Sequence, residues 1–416
     1  MRILIAGVTY YPAPNGQARA TVNLAEGLAR MGHAVMMVMQ SDRKQAYADE
    51  RNGVLIRGAR AINLKAWHPD AYFSPFPRRS VQKIFDEFRP DIVHIQDHYP
   101  ITRSVVMTAR KRRIKVVGTD HFMPGNLAPY LPGYSWLKPV YDWILWHWML
   151  EVFNRLDVVT APSKTAVDVL RAQGLRVPAY PVSGGISLER FYPEPSLDRQ
   201  AWRQRYGLAT DRTVFLFVGR VDKEKRLDVI LRALHRLERD DIQFCIAGYG
   251  AAMETLKELA QELKLGQRVQ FTGFVSNEDL PHLINSCDIF VMPSEAELLS
   301  LSSLEAMACG LPLLAANAVA LPELVTDGIS GYLFRPSDDV DAAHCMGKLA
   351  DHPELWADMG QAGWRRAQDY SLETILQCNE TLYEMVLSGH IARDLCPSAL
   401  PSLTVQESET SNSTSV

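Results

Sequence analysis

Two stretches of this chain place side chains able to handle a phosphorylated sugar where a parallel sheet presents its ligands. In VGRVDKEKRLDVIL, Arg220 leaves the end of an apolar run and Lys225 follows five residues later, at the start of a helical pattern. Two cations at the mouth of a sheet clamp a pyrophosphate and stabilise the charge of a departing nucleotide. Their neighbours Lys223 and Arg226 read as a solvated surface run. In MPSEAELLSLSSLEAMACGLP, Glu297 and Glu305 are separated by seven residues. Glu297 falls in a loop after a strand, and Glu305 about one turn into the next helix. Carboxylates there accept hydrogen bonds from the vicinal hydroxyls of a ribose and a hexose, while N–H groups around Ser300 to Ser303 and the helix dipole face phosphate. Ser302 to Glu305 also fits the capping box S-x-x-E, which gives Glu305 a purely structural alternative as the partner of Ser302. A further candidate is the loop Thr9 to Gln17 (TYYPAPNGQ), where Gly16 allows close backbone approach and the following helix start attracts anions; an unliganded turn glycine is the alternative. The loop is not GxGxxG, which disfavours a nicotinamide enzyme.

The elements that must carry these residues alternate in type. Arg2 to Val8 is a buried-strand run, Ala18 to Met31 has helical apolar spacing, and Ala34 to Met39 is a second strand; Ile92 to Ile95, Lys115 to Gly118 and Asp157 to Ala161 continue the series. After a polar, proline-containing stretch between Gly184 and Thr213, the alternation restarts. Thr213 to Val218, Ile242 to Ala247, Arg268 to Thr272, Ile289 to Met292 and Leu311 to Ala315 read as strands. Leu227 to Leu237, Met253 to Leu263, Asn277 to Ser286 and Ser302 to Cys309 read as helices. The pattern predicts an α/β protein of two Rossmann-like, doubly wound parallel-sheet domains facing a central cleft lined by carboxyl ends of strands. The expected division is 1–190, 191–370, a helix in 371–395 returning to the first domain, and a disordered tail at 396–416, whose Ser, Thr and Pro content buries little.

Length and composition agree. A chain of 416 residues exceeds what one core usually supports. A formal net charge of -4 supplies no basic field for nucleic acid. The six cysteines, Cys245, Cys287, Cys309, Cys345, Cys378 and Cys396, form no CxxC pair and read as reduced thiols of a cytoplasmic protein. MRILIAGV lacks the features of a signal peptide, and no run approaches the roughly 18 apolar residues of a spanning helix.

Arg220 and Lys225 five apart, the GYG turn at Gly248 to Gly250, FTGFV at Phe271 to Val275, and the E-x7-E pair running into EAMACGLP together resemble the retaining glycosyltransferases of family 4, over residues 1 to about 388. The resemblance implies the GT-B fold and no bound metal or other cofactor, the nucleotide sugar being a substrate. It implies that Arg220 and Lys225 hold the donor pyrophosphate, Glu305 the ribose hydroxyls, and Glu297 the transferred sugar. Gly16 then approaches phosphate, His121 in GTDHFMPGN contacts the sugar, and Gly219, Gly248, Phe274, Val275, Ser300 and Leu301 complete the donor site. By its residues alone, a lone His near a strand end such as His121 is more often a packed or solvent-linked histidine than a catalyst. His94, Asp97 and His98 in HIQDHYP carry ligand-type side chains, but they read as a polar cleft wall or acceptor contact. One departure from the family stands out: Gly-Phe-Gly commonly follows the first Glu, and here Leu298, Leu299 and Ser300 do, which predicts crowding near the sugar.

The implied reaction moves a hexose, with retention, from UDP- or GDP-hexose to an acceptor hydroxyl. Tyr130 to Trp148 (YLPGYSWLKPVYDWILWHW) concentrates Trp136, Trp143, Trp146 and Trp148. Such a segment suits an apolar lip in a bilayer interface that admits a lipid or glycolipid acceptor, with Arg110 to Arg113 as a basic accessory; a packed helix and a solvated helix end are the alternatives. That places the protein in the cytoplasm, peripheral on the membrane face. A soluble or polysaccharide acceptor, a nucleotide-sugar 2-epimerase, a pyridoxal-phosphate phosphorylase and a non-catalytic binding module remain the rival readings.

Overall fold

A computed structural model describes residues 1–8, 10, 16–41, 43, 45–63, 72–74, 77–123 and 134–390. The expected tail at 396–416 lies outside them. The first sheet contains β1 (Arg2–Ala6), β2 (Ala34–Gln40), β3 (Tyr47–Arg51) and β4 (Val54–Ala59). A separate two-stranded ribbon follows, β5 (Ile62–Asn63) and β6 (Tyr72–Phe73), and β7 (Ile92–Ile95), β8 (Lys115–Thr119), β9 (Val158–Ala161) and β10 (Ala179–Pro181) complete the first sheet. Its order is β10-β9-β8-β7-β1-β2-β4-β3, parallel except for the β3–β4 edge hairpin. The second sheet joins β11 (Thr213–Val218), β12 (Ile242–Ala247), β13 (Val269–Gly273), β14 (Ile289–Met292), β15 (Leu313–Ala316) and β16 (Gly331–Phe334) in the order β13-β12-β11-β14-β15-β16, all parallel.

Strands covered on both faces need continuous apolar runs rather than alternating ones. In β1, Ile3 and Ile5 face one cluster, and Leu4 and Ala6 face another. The first of these clusters is closed by the C-terminal helix Leu372–Ser388, whose Leu372, Leu376, Leu382, Tyr383 and Val386 return to the first sheet after the chain has built the second. Gly27 makes this possible, because a Cβ there would lie 2.4 Å from a methyl carbon of Leu376. The chain therefore crosses between domains twice, and the crossings are tied: Ile186 N–H donates to Tyr370 O at 2.9 Å and Leu372 N–H to Ile186 O at 2.8 Å. Cys245, Cys287, Cys309 and Cys345 are buried free thiols of the second domain.

Strand order reverses between β1 and β7 in the first sheet and between β11 and β14 in the second. Crevices outside the carboxyl ends of strands at such switch points are where doubly wound sheets hold ligands.

Candidate active site

The second-domain wall is built on glycines. Gly219, after β11, has φ +156, and Gly248, after β12, has φ +146; a Cβ on Gly248 would lie 1.9 Å from the carbonyl oxygen of Gly219. Only glycine allows the two turns to nest this closely. Val221 N–H then donates to Tyr249 O at 2.9 Å. Asp222, buried beneath, accepts Ala251 N–H at 3.1 Å and pairs with Arg220 at 2.7 Å, while Glu224 holds the other side of Arg220 at 3.0 Å. The Arg220 guanidinium is thus aimed by two carboxylates while its side chain stays 46% exposed. Burial raises the Glu224 carboxyl above its ordinary range, against the pull of Lys225 and Arg220.

Lys225 ends the 3-10 turn Lys223–Lys225, and Arg226 follows at φ +51 before the helix Leu227–Leu237 begins. The turn directs Lys225 Nζ onto Glu297, forming a half-buried ion pair between the loops after β11 and β14. Arg226 is not the solvated side chain its neighbourhood predicts. It pairs with Glu295 at 3.0 Å and the nearby Asp228 at 3.4 Å and donates to Ser337 Oγ, so it is captured in part by Glu295 and Ser337, both distant in sequence.

Glu305 lies on the helix Leu301–Ala308 and is buried. The cap of that helix is Ser300, whose Oγ accepts Ser303 N–H at 3.2 Å and Ser303 Oγ–H at 2.8 Å. The Ser302–Glu305 capping box is accordingly corrected: the helix starts before Ser302. Arg19, from the first domain, forms an ion pair with Glu305 instead, and a second nitrogen lies 3.5 Å from the other carboxylate oxygen. The residues replacing Gly-Phe-Gly divide between the domains. Leu298 packs partly buried against the first-domain core and Leu299 against the second-domain core. Leu301 is half-buried on the second core. Phe274 is 70% exposed with its ring 6.3 Å from that of exposed Tyr249, and half-buried Val275 packs beneath on the second core.

On the facing wall, Gly16 opens the helix Gly16–Arg30, with nothing among the described residues within 4 Å of where a Cβ would stand; residues 9 and 11–15 of the preceding loop lie outside the described residues. His121, beyond β8, places Nε2 2.9 Å from Gln96 Oε1; burial pushes its pKa down to about 4, so the ring is neutral at physiological pH. Gln96, at the β7 end of the switch point, also accepts Gln17 Nε2–H on its backbone oxygen at 2.9 Å, joining the anion-attracting helix start to His121. Beside His121, Asp120 is buried and its carboxyl is pushed up to about 7 by burial, which one hydrogen bond from Phe122 N–H only partly offsets.

The trio in HIQDHYP does not act as a cleft wall. His94 Nδ1 lies 2.7 Å from the hydroxyl of Tyr383 on the C-terminal helix and Nε2 2.7 Å from Thr119 Oγ1; burial holds its pKa near 3. Asp97 accepts from Val8 N–H at 2.6 Å, Tyr99 N–H at 3.1 Å and Thr102 Oγ1–H at 2.8 Å. His98 is enclosed by the rings of Tyr99, Phe122, Trp148 and Phe153. Side-chain hydroxyls thus occupy His94 and mainly backbone N–H groups Asp97, while His98 is packed among rings with neither ring nitrogen hydrogen-bonded among the described residues. Arg110 to Arg113 are exposed at the end of the helix Pro100–Lys111, where Arg112 pairs with Asp86 at 2.8 Å.

The tryptophan-rich segment is described from Tyr134, as the helix Tyr134–Phe153; Tyr130 and the side chain of Trp136 lie outside the described residues. Its C-terminal end is core: Met149, Leu150, Val152 and Phe153 are buried and Trp146 packs against them. Its opposite face exposes Val140, Trp143 and Ile144, at helical spacing, with Trp143 67% exposed and stacked on His147. No helix among the described residues is long and apolar enough to cross a membrane.

Arg19, Gln96, Asp120 and the domain-bridging Glu323 escaped the sequence reading. Gln96 and Asp120 carried a usable signal, their position at or next to strand ends. Arg19 and Glu323 act through partners 286 and 159 residues away.

Two parallel-sheet domains joined by a double crossing, with cations and carboxylates gathered at the second sheet's switch point, define a GT-B glycosyltransferase. Residues 14–190 match the profile of Glycosyltransferase Family 4 and residues 198–366 that of Glycosyl transferases group 1. A D-inositol 3-phosphate glycosyltransferase of Mycolicibacterium smegmatis is 30% identical over 316 residues, 74% of this chain and 70% of the relative. The chain belongs to glycosyltransferase family 4. An alpha-monoglucosyldiacylglycerol synthase of Streptococcus pneumoniae is 25% identical over 91% of this chain and 87% of its own. The alignment with the D-inositol 3-phosphate glycosyltransferase of Streptomyces scabiei is 34% identical and spans about half of each protein, 50% and 49%. Among solved structures, a sucrose-phosphate synthase from Thermosynechococcus elongatus shares the fold with a TM-score of 0.77 at 19% identity, over 94% of this chain and 100% of that one. HepE of Anabaena in complex with UDP does so at 0.74 and 21%, over 92% and 100%.

Proposed function

We propose that this enzyme transfers a hexose, with retention of configuration, from UDP- or GDP-hexose to a hydroxyl of a lipid or glycolipid at the cytoplasmic membrane face. The observation that carries the reading is the convergence of Arg220, Lys225, Glu297 and Glu305 at the second sheet's switch point, opposite Gly16 and His121. Arg220 and Lys225 neutralise the departing diphosphate, the task a metal ion performs in other transferases. Glu305 accepts the ribose hydroxyls and Glu297 those of the hexose. The neutral His121 ring offers Nδ1 to a sugar hydroxyl, its Nε2–H being donated to Gln96. Gly219 and Gly248 let the phosphates approach backbone, with Ser300 and Leu301 at the adjoining helix start. Phe274, Tyr249 and Val275 present a surface on which a base stacks.

The exposed face of Val140, Trp143 and Ile144 supports the lipid acceptor, since such a stripe rests in a bilayer interface. The names of the pneumococcal relative and of a phosphatidylinositol monomannoside mannosyltransferase of Mycolicibacterium smegmatis, 35% identical over 53% of this chain, favour the same class. A soluble acceptor is the second reading, favoured by the 30% identity to a D-inositol 3-phosphate glycosyltransferase. Purified enzyme incubated with labelled UDP-glucose, UDP-galactose or GDP-mannose and a total lipid extract is expected to yield a labelled, alkali-distinguishable glycolipid. Label appearing only in water-soluble product would select the second reading, and release of neither would sink the first.

A further inference from the structure

The helices Gly16–Arg30 and Leu301–Ala308 belong to different domains yet meet across Gly184. A Cβ on Gly184 would lie 2.7 Å from the Cβ of Ala20 and 3.7 Å from Cδ1 of Leu301, so the missing side chain is what lets the two helices close on one another. Asn23, one turn beyond Ala20, donates to Gly185 O at 3.2 Å and fixes the same approach. The contact carries Arg19 onto Glu305, one turn after Leu301. Arg190, in the segment joining the domains, faces the pair as well: burial lowers its pKa, Glu305 works against that, and Arg19 adds to it.

A carboxylate offers about four acceptor sites, and a forked guanidinium takes up to two of them. Among the described residues Arg19 is the hydrogen-bond partner of the Glu305 carboxylate, which keeps further acceptor sites for hydroxyl donors once a ligand enters. A buried carboxylate without a cation is strongly disfavoured as an anion, and a charged acceptor binds hydroxyls more tightly than a neutral one. We infer that Arg19 is a positioning residue of the donor site, holding Glu305 as a charged acceptor aimed at the ribose 2′- and 3′-hydroxyls. The pentose grip is then shared between domains and complete only when they are closed. This rests on the proposed role of Glu305. It differs from a simple latch, in which Arg19 would hold the domains together without concern for the ribose.

Calorimetric titration of the full chain with UDP, 2′-deoxy-UDP, GDP and 2′-deoxy-GDP separates the possibilities. The wild type is expected to prefer the ribonucleotide of its own base by about tenfold over the deoxy form, the worth of one hydroxyl on a charged acceptor. Arg19→Ala is expected to bind that ribonucleotide about tenfold more weakly and to lose less affinity for the deoxy form, which keeps only the 3′-hydroxyl, so that the preference shrinks. Arg19→Lys, which keeps the charge and loses the fork, is expected to recover part of it. Equal weakening of both forms in Arg19→Ala, or an intact preference, overturns the inference while leaving the donor site standing. A wild type that binds none of the four nucleotides overturns the donor-site reading itself. Thermal unfolding of each variant confirms that the comparison is made between folded proteins.

Discussion

Lys225 and Glu297 form an ion pair across the switch point of the second sheet, one on the loop after β11 and the other on the loop after β14. Each is therefore placed by a different strand, and the distance between them depends on the register of β11 against β14. A pair this weakly exposed keeps both charges oriented before any ligand arrives, which is the preorganisation that electrostatic catalysis requires.

Replacement of Lys225 by Ala is expected to lower kcat by about 100-fold, the usual effect of removing one preorganised donor to developing charge. The fold should survive, because the side chain lies at the rim of the core. Steady-state rates and a thermal melt on the same sample measure the two effects, and a wild-type kcat removes Lys225 from the chemistry.

Asp120 predicts a pH-dependent stability. Its carboxyl is pushed up to about 7 in the fold from an ordinary 3.8, so between these values the native state binds a proton that the unfolded chain has released. Stability contributed by this group is full below about pH 4, falls as pH rises through 7, and is lost above it. Asp120→Asn removes the titration and can still accept from Phe122 N–H. Denaturant unfolding from pH 4 to 8 should show the variant gaining on the wild type by up to about 1.4 kcal/mol per pH unit in that window. A constant difference across the range is incompatible with the raised value.

Glu323, on the second-domain helix Leu321–Leu324, accepts the backbone N–H groups of Lys164 at 3.1 Å and Thr165 at 2.6 Å, at the start of the first-domain helix Lys164–Ala172. It is a helix cap supplied by the other domain. Glu323→Ala is expected to cost about 1 kcal/mol of stability and to enlarge the average molecule as the domains part more often. Chemical unfolding and small-angle scattering test these together; a loss of stability without expansion would confine Glu323 to local capping.

Substitution of Gly184 by Val places atoms where Ala20 and Leu301 now stand, separating Arg19 from Glu305. Nucleotide affinity is expected to fall by about tenfold or more, given the hydrogen bonds to charge that depend on closure. Unchanged affinity in a folded variant would show that the helices tolerate the separation.

The exposed face of the tryptophan-bearing helix gives a test independent of chemistry. Trp143→Glu is expected to reduce binding to vesicles containing anionic lipid by about tenfold, since an exposed aromatic side chain suited to the bilayer interface is exchanged for a charge repelled by the surface. Turnover of a detergent-solubilised acceptor should change little. Sedimentation with vesicles reads the first effect.

Strands buried on both faces were legible in the sequence because their apolar runs admit one reading. Ile92–Ile95, Thr213–Val218, Ile242–Ala247 and Ile289–Met292 begin and end as the residues predict. The edge strand β3 was not legible: Tyr47–Arg51 is mostly exposed and charged, and only its pairing with β4 makes it a strand. β10 is too short to show a pattern, and β16 opens on Gly331 and leaves Tyr332 and Leu333 half-buried, so it offers no continuous apolar run. At the site, residues following strands could be found by position, as Arg220 and His121 were. Arg19 could not, since nothing local separates it from any surface arginine on an amphipathic helix. The misplacement of the Ser302–Glu305 cap has a similar origin, because four serines at Ser300, Ser302, Ser303 and Ser294 offer competing caps and only backbone geometry selects Ser300.

The return of helix Leu372–Ser388 to the first sheet also bears on how the molecule is made. While the chain emerges from the ribosome, the cluster around Ile3, Ile5, Val35 and Met37 has only Leu24, Ala25 and Leu28 of the helix Gly16–Arg30 over it until Leu372–Ser388 has been synthesised. The second domain, continuous in sequence, can finish folding before the domain that was translated first. The usual N-to-C order of maturation is thereby inverted, and a chain truncated before Leu372 leaves the part of that sheet face beside the helix Gly16–Arg30 uncovered for chaperones to bind.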